Sequence, residues 1–145
     1  MCRICGDRGG LERVLLELGR RGRYRSLVEL ATAGGWQGAE LAGLLAAALD
    51  AADPEVRGGA LRLLETSPHP APAVVSRVVR ALTDPDGTVR WLAARTLEAS
   101  GDRGPEVVAA LQVATGDTNA MVQTVARRTL GRLAALPAGP DAPSR

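Results

Sequence analysis

Val56, Val89 and Val122 stand 33 residues apart, and much of the chain keeps the same step. It joins Ala60, Ala93 and Ala126, then Leu64, Leu97 and Leu130. In the preceding segments it joins Leu41, Val74 and Val107; Leu45, Val78 and Leu111; and Ala48, Ala81 and Ala114. Punctuation follows the register as well, pairing Pro72 with Pro105 and Ser67 with Ser100. Columns of apolar residues in one register mark tandem copies of a supersecondary unit. Each copy buries its apolar side only against its neighbours.

Inside a unit the spacing is helical. Val56, Ala60, Leu63 and Leu64 fall at i, i+4, i+7 and i+8, one face of a helix, and Leu41, Leu45, Ala48 and Leu49 do the same just before. Asp53-Pro54 gives a capping side chain followed by a proline suited to a first turn, and Pro72 and Pro105 occupy similar starts. Gly101 and Gly116 follow apolar helical stretches and suit helix exits. Residues 11–35 form a degenerate first unit, with Leu11, Val14, Leu15 and Leu18 on one stripe and Leu27, Leu30 and Ala31 on another. The units predicted are thus about 11–35, 38–67, 71–100 and 104–136, in a single domain. Residues 1–10 are expected to be a flexible N-terminus and 137–145 a disordered tail.

Composition agrees with close-packed helices. Phe is absent and there are two Trp and one Tyr among 145 residues, so the core must be Leu, Val and Ala. That mixture disfavours a β-sandwich. No apolar run approaches the roughly 20 residues that cross a bilayer. Met1-Cys2-Arg3-Ile4-Cys5-Gly6-Asp7 has no signal-peptide core. A soluble, cytoplasmic protein is expected.

With these residues in view, the chain resembles the bacterial HEAT-like repeat proteins. Asp84-Pro-Asp-Gly-Thr-Val-Arg90, continued by Ala93 and Leu97, is similar to that family's D-P-D-x-x-V-R signature. Asp53-Pro54-Glu55-Val56-Arg57 with Ala60 and Leu64 is a second match, its D-P pair set closer to the valine. The third copy keeps Asp117, Val122, Ala126 and Leu130 but carries Gln123 in place of Arg. A 33-residue period is also the ankyrin length, but second helices of about a dozen residues and the missing Thr-Pro-Leu-His signature argue against it. The resemblance implies an all-α, right-handed α-solenoid of about four helical hairpins. It also implies that Asp53, Asp84, Asp117, Arg57 and Arg90 hold the stack together. Family members include protein-binding scaffolds, chromophore lyases and DNA glycosylases, so fold is implied more sharply than function.

All eighteen basic residues are arginine against sixteen acidic ones, a net charge of +2. That margin alone does not announce a nucleic-acid binder. Positions 58, 62 and 65 point away from the apolar centre of the second helix, and their equivalents include Arg62, Arg95 and Arg128 beside Trp91. Arg62, Trp91, Arg95 and Arg128 are therefore the candidate partner-binding residues, since Arg and Trp are common anchors of protein interfaces. The bland alternative is a solvated face on which Glu65 and Glu98 neutralise Arg62 and Arg95 three residues back. Arg20, Arg21, Arg23 and Arg25 around Tyr24 form a possible secondary basic patch on a turn.

Cys2 and Cys5 form the sole C-x-x-C, and His69 is the one histidine, so one chain offers zinc two thiolates, an imidazole far away in sequence and carboxylates such as Asp7, and a four-thiolate site would need a dimer. No metal site and no cofactor is expected. Catalytic motifs are missing, which predicts a non-enzymatic protein. A glycosylase-like site would have to use Trp36 and Trp91 with Glu65 or Glu98. The function predicted is an interaction module that binds a protein or peptide partner, possibly acidic, on the second helices. DNA-backbone binding is the alternative, and a homodimer is conceivable.

Overall fold

The computed structural model describes residues 39–65 and 72–136, and within them the secondary structure is helical, without strands. The elements are α1 (Ala39–Leu49), α2 (Pro54–Glu65), α3 (Pro72–Ala81), α4 (Gly87–Ser100), α5 (Pro105–Ala114) and α6 (Ala120–Ala135). They form three hairpins, α1–α2, α3–α4 and α5–α6. The fourth hairpin, expected over 11–35, lies outside the described residues, as do the two terminal segments. Among the described residues no helix is long and apolar enough to cross a membrane.

Helix boundaries follow from local chemistry. Asp53 Oδ1 accepts from the Glu55 amide at 2.8 Å, Asp86 Oδ1 from Thr88 and Val89 at 2.8 and 3.1 Å, and Asn119 Oδ1 from Met121 at 2.9 Å. These three residues are one register column, each satisfying an amide that the first helical turn leaves unpaired. Prolines 54, 72 and 105 open their helices, where the missing N–H costs nothing. Gly101 ends α4 in the left-handed region at φ 63°, its amide donating to Leu97 O. Its place after an apolar stretch predicts the same part for Gly116 after α5, but Gly101 is the one positive-φ residue among those described. Thr115 instead closes α5 in right-handed geometry, its amide reaching Leu111 O at 3.1 Å.

A methyl group on Gly101 would meet nothing within 4 Å, so substitution there acts on the backbone alone. Gly101→Ala is expected to cost about 1 kcal/mol in urea denaturation, the penalty of a Cβ in the left-handed region.

The helices form two layers. Second helices α2, α4 and α6 pack in sequence, first helices α1, α3 and α5 pack in sequence, and each hairpin closes on itself. The register columns become the seam between the layers. Val56, Val89 and Val122 are buried, as are Ala60, Ala93 and Ala126, Leu45, Val78 and Leu111, and Ala48, Ala81 and Ala114. Leu64 and Leu97 are buried too, while Leu130, in the last described helix, is only partly covered. Ala60, Ala93 and Ala126 are fully buried, at positions where a larger side chain would hold the stacked helices apart.

Among the described residues two polar side chains enter this core, and both are satisfied. Thr96 Oγ1 donates within hydrogen-bond distance of Leu92 O (2.8 Å) and Leu61 O (3.0 Å), the latter on the neighbouring helix; Thr129 Oγ1 donates to Val125 O at 2.7 Å.

Candidate functional site

Among the described residues, ion pairs between successive repeats fall mainly into two sets, apart from an exposed Arg77–Asp50 pair at 3.3 Å on the first-helix side. The first fixes the turn side of the stack. Arg57 grips Asp84 through Nε (2.7 Å) and Nη2 (2.9 Å), while its Nη1 donates back to Ala51 O and Ala52 O. One repeat on, Arg90 grips Asp117 through Nε (2.9 Å) and Nη2 (3.2 Å), and its Nη1 donates to Asp84 O and Pro85 O. Each guanidinium thus ties its own turn to the next, using the planar fork that Lys lacks.

Gln123 stands where the next arginine would be. Its Nε2 donates to Asp117 O at 2.5 Å, which keeps the contact within the repeat and drops the forward one. The expected stack-holding role therefore applies to Arg57, Arg90, Asp84 and Asp117. Asp53 is different. It belongs to the capping column with Asp86 and Asn119, and Ala51 occupies the position equivalent to Asp84.

Asp117 feels two opposed influences. Burial pushes its carboxyl up, but the hydrogen bond from Arg90, the Asn119 amide and the Arg90 charge together bring it below the ordinary aspartate value.

The second set lies on the second-helix face. Arg95 Nη2 donates to Glu65 Oε1 on the preceding helix. Arg128 Nε and Nη2 donate to the two oxygens of Glu98, both at 2.7 Å, and Arg132 Nη1 reaches Glu98 Oε1 at 3.2 Å. The sequence suggested neutralisation along one helix, Arg62 by Glu65 and Arg95 by Glu98. Arg95 and Arg128 instead pair across repeats, because stacking brings position i of one helix beside position i+3 of the helix before it. The hydrogen bond from Arg128, aided by its charge and by Arg132, holds the Glu98 carboxyl below its ordinary value against the opposing effect of burial. Glu98 in turn raises the Arg128 guanidinium further above its usual range.

Trp91, Arg95 and Arg128 line one open groove of about 630 Å³ between α4 and α6. Arg62 is exposed on α2 but does not line it. Helical spacing alone points Trp91 outward; the structure lays it half-buried against the core, with the Arg95 guanidinium carbon 5.0 Å from the ring centroid. Such stacking holds both groups in place. Gly58, its register equivalent, is buried rather than outward, because an absent side chain lets α4 approach: a Cβ there would sit 3.3 Å from Leu92 Cδ1.

The groove also takes in residues beyond the register column of arginines. Met121 is 57% exposed on its rim, and Arg132, Thr124, Ala120, Ala99 and Val125 complete the wall with Glu65 and Glu98. Met121 had a signal: its register equivalents are Glu55 and Thr88, so an apolar residue replaces polar ones beside the valine column. Arg132 had one too, a single helical turn beyond Arg128.

Arg20, Arg21, Arg23 and Arg25, Cys2 and Cys5, Trp36 and His69 lie outside the described residues. Among the described residues no three His, Cys, Asp or Glu side chains cluster so as to hold a metal ion.

Paired helices in two layers, a 33-residue register and a forward Arg–Asp ladder define the unit. A family model described as HEAT repeats matches residues 41–137, well over half the chain. The chain belongs to the HEAT-repeat family. The match spans all three described hairpins apart from the first residues of α1, and it decides against ankyrin. HEAT repeats commonly serve as scaffolds for protein interaction. No curated protein and no solved structure matches this HEAT-repeat chain.

Proposed function

We propose that this HEAT-repeat protein is a non-enzymatic interaction module that holds a segment of a partner protein in the groove between α4 and α6. The observation that carries the reading is the juxtaposition of Trp91 and Met121 with three arginines on one concave surface. Aromatic, Met and Arg side chains are those enriched where proteins meet. A groove with fixed walls also lowers the ordering cost of binding, and here Glu98 and Glu65 already hold the guanidinium groups.

Two features favour a protein ligand over a nucleic-acid backbone. Each arginine lining the groove touches a carboxylate, so the charge excess there is one (Arg95, Arg128 and Arg132 against Glu65 and Glu98). Phosphate tracking relies on many uncompensated cations. The depressed Glu98 carboxyl suits an ion pair better than the proton donor a glycosylase-like reaction would need.

Met121→Glu is the sharpest test, since the side chain is exposed and its loss leaves the core untouched. Partners captured from the native extract by the wild-type chain should bind the variant at least about tenfold more weakly, with helical content unchanged. Equal capture by both would reject the groove as the binding surface.

A further inference from the structure

Burial divides the charged groups of the groove by sign. Glu98 keeps 13% of its side-chain surface, whereas Arg128 keeps 53% and Arg132 67%. An approaching molecule therefore meets guanidinium groups, with the carboxylate set behind them. Glu98 acts as a positioning residue: one carboxylate fixes two cations side by side.

Those cations still have donors to give. Arg128 spends Nε and Nη2 on Glu98 and Arg132 spends Nη1, which leaves Arg128 Nη1 and Arg132 Nε and Nη2 without partners among the described residues. Beside them lie the exposed thioether of Met121 and the half-buried Trp91 ring. Unspent donors in a fixed array take an anion with oxygen acceptors, and the neighbouring apolar wall takes a large side chain attached to it.

Resting on the reading of the groove as a protein-binding site, we infer that it takes an acidic peptide segment in which an Asp or Glu adjoins a large apolar residue. The carboxylate meets Arg128 and Arg132, and the apolar side chain meets Met121 and Trp91. The specificity is local. A polyanion that presents charge without an apolar neighbour leaves Met121 and Trp91 uncovered.

The experiment selects binders from a phage-displayed library of random peptides on the full chain, then measures the best ones as synthetic peptides. Enriched sequences should share Asp or Glu next to Leu, Met, Phe or Trp. The best peptide should lose about tenfold in affinity to Arg132→Glu and similarly to Met121→Glu. Replacing its acidic residue by Lys should weaken binding to the wild type and recover binding to the Arg132→Glu variant. Amidation of its C-terminus should change nothing, because a side-chain carboxylate is the recognised group.

Binders that depend on Met121 yet lack an acid, or ignore Arg132→Glu, would overturn the inference and leave the groove as the protein-binding site. Loss on amidation would overturn it in favour of a terminal carboxylate. Tighter, Arg132-dependent binding of a single-stranded oligonucleotide than of any acidic peptide would also overturn it. Absence of any Met121-dependent binder would remove the proposed function itself, and the inference with it.

Discussion

Asp117→Ala should lower the free energy of unfolding by about 2 kcal/mol, read from the urea midpoint at constant slope. The substitution leaves the Arg90 guanidinium, whose side chain is 16% exposed, facing a gap where a 10%-exposed carboxylate stood. Breaking a fully buried pair costs about 3–5 kcal/mol. Partial exposure of both groups lets water recover some of that loss, which sets the lower figure. Two further contacts go with the carboxylate. The Asn119 amide loses its 2.7 Å acceptor, and Arg90 Nη2 keeps only Thr118 Oγ1 at 3.4 Å. Asp117→Asn retains an acceptor for the Asn119 amide and should cost less, about 1 kcal/mol. In a double-mutant cycle with Arg90→Ala the two effects should be strongly non-additive, since either change alone breaks the same clamp.

The same clamp gives the sign of the acid response. Asp117 titrates below its ordinary value of 3.8 in the folded chain. A lowered folded value means that its contribution is present above pH 3.8 and fades as pH falls through the folded value. Glu98, lowered from 4.5 by Arg128, acts in the same direction. Asp117→Asn should therefore flatten the acid limb of the stability curve below about pH 4. A variant with the wild-type acid slope would show that Arg90–Asp117 contributes nothing through charge.

Much of the architecture was legible because the repeat converts sequence register into neighbourhood. Once Val56, Val89 and Val122 are known to be equivalent, their burial, the alternation of first and second helices and the placing of the alanine column all follow. The ion pairs were less legible, for a geometric reason. Arg57–Asp84 and Arg90–Asp117 are separated by 27 residues, and Glu65–Arg95 and Glu98–Arg128 by 30. These separations are the repeat length less six or three, so a long side chain reaches across to a shifted position on the adjacent unit. The i, i+3 spacing inside one helix presents the same letters, and sequence alone does not say which partner wins. Trp91 illustrates the second obstacle. A helical wheel assigns direction to a Cβ, but a large ring folds down over its neighbours, and Gly58 leaves the room for α4 to approach.

The largest effect belongs to the middle of the stack. Leu97→Ala removes a fully buried side chain from α4, which packs against α2, α3 and α6. About 3 kcal/mol is expected from lost burial plus the cavity left behind. The consequence should spread further than the magnitude suggests. In a solenoid each unit is stabilised by its own packing and by its nearest neighbours, and within the second-helix layer α2 meets α6 through α4. Loosening α4 should raise amide hydrogen exchange on both flanking second helices. Leu133→Ala in α6 should raise it mainly in the α5–α6 hairpin, since that residue lies in the last described helix. The comparison also bears on binding, because the walls of the groove come from α4 and α6. Leu97→Ala should weaken partner binding even though Leu97 touches no ligand, whereas a chain whose α6 exchanges at the wild-type rate after Leu97→Ala would show that the hairpins fold independently and that the shared spine does not transmit stability.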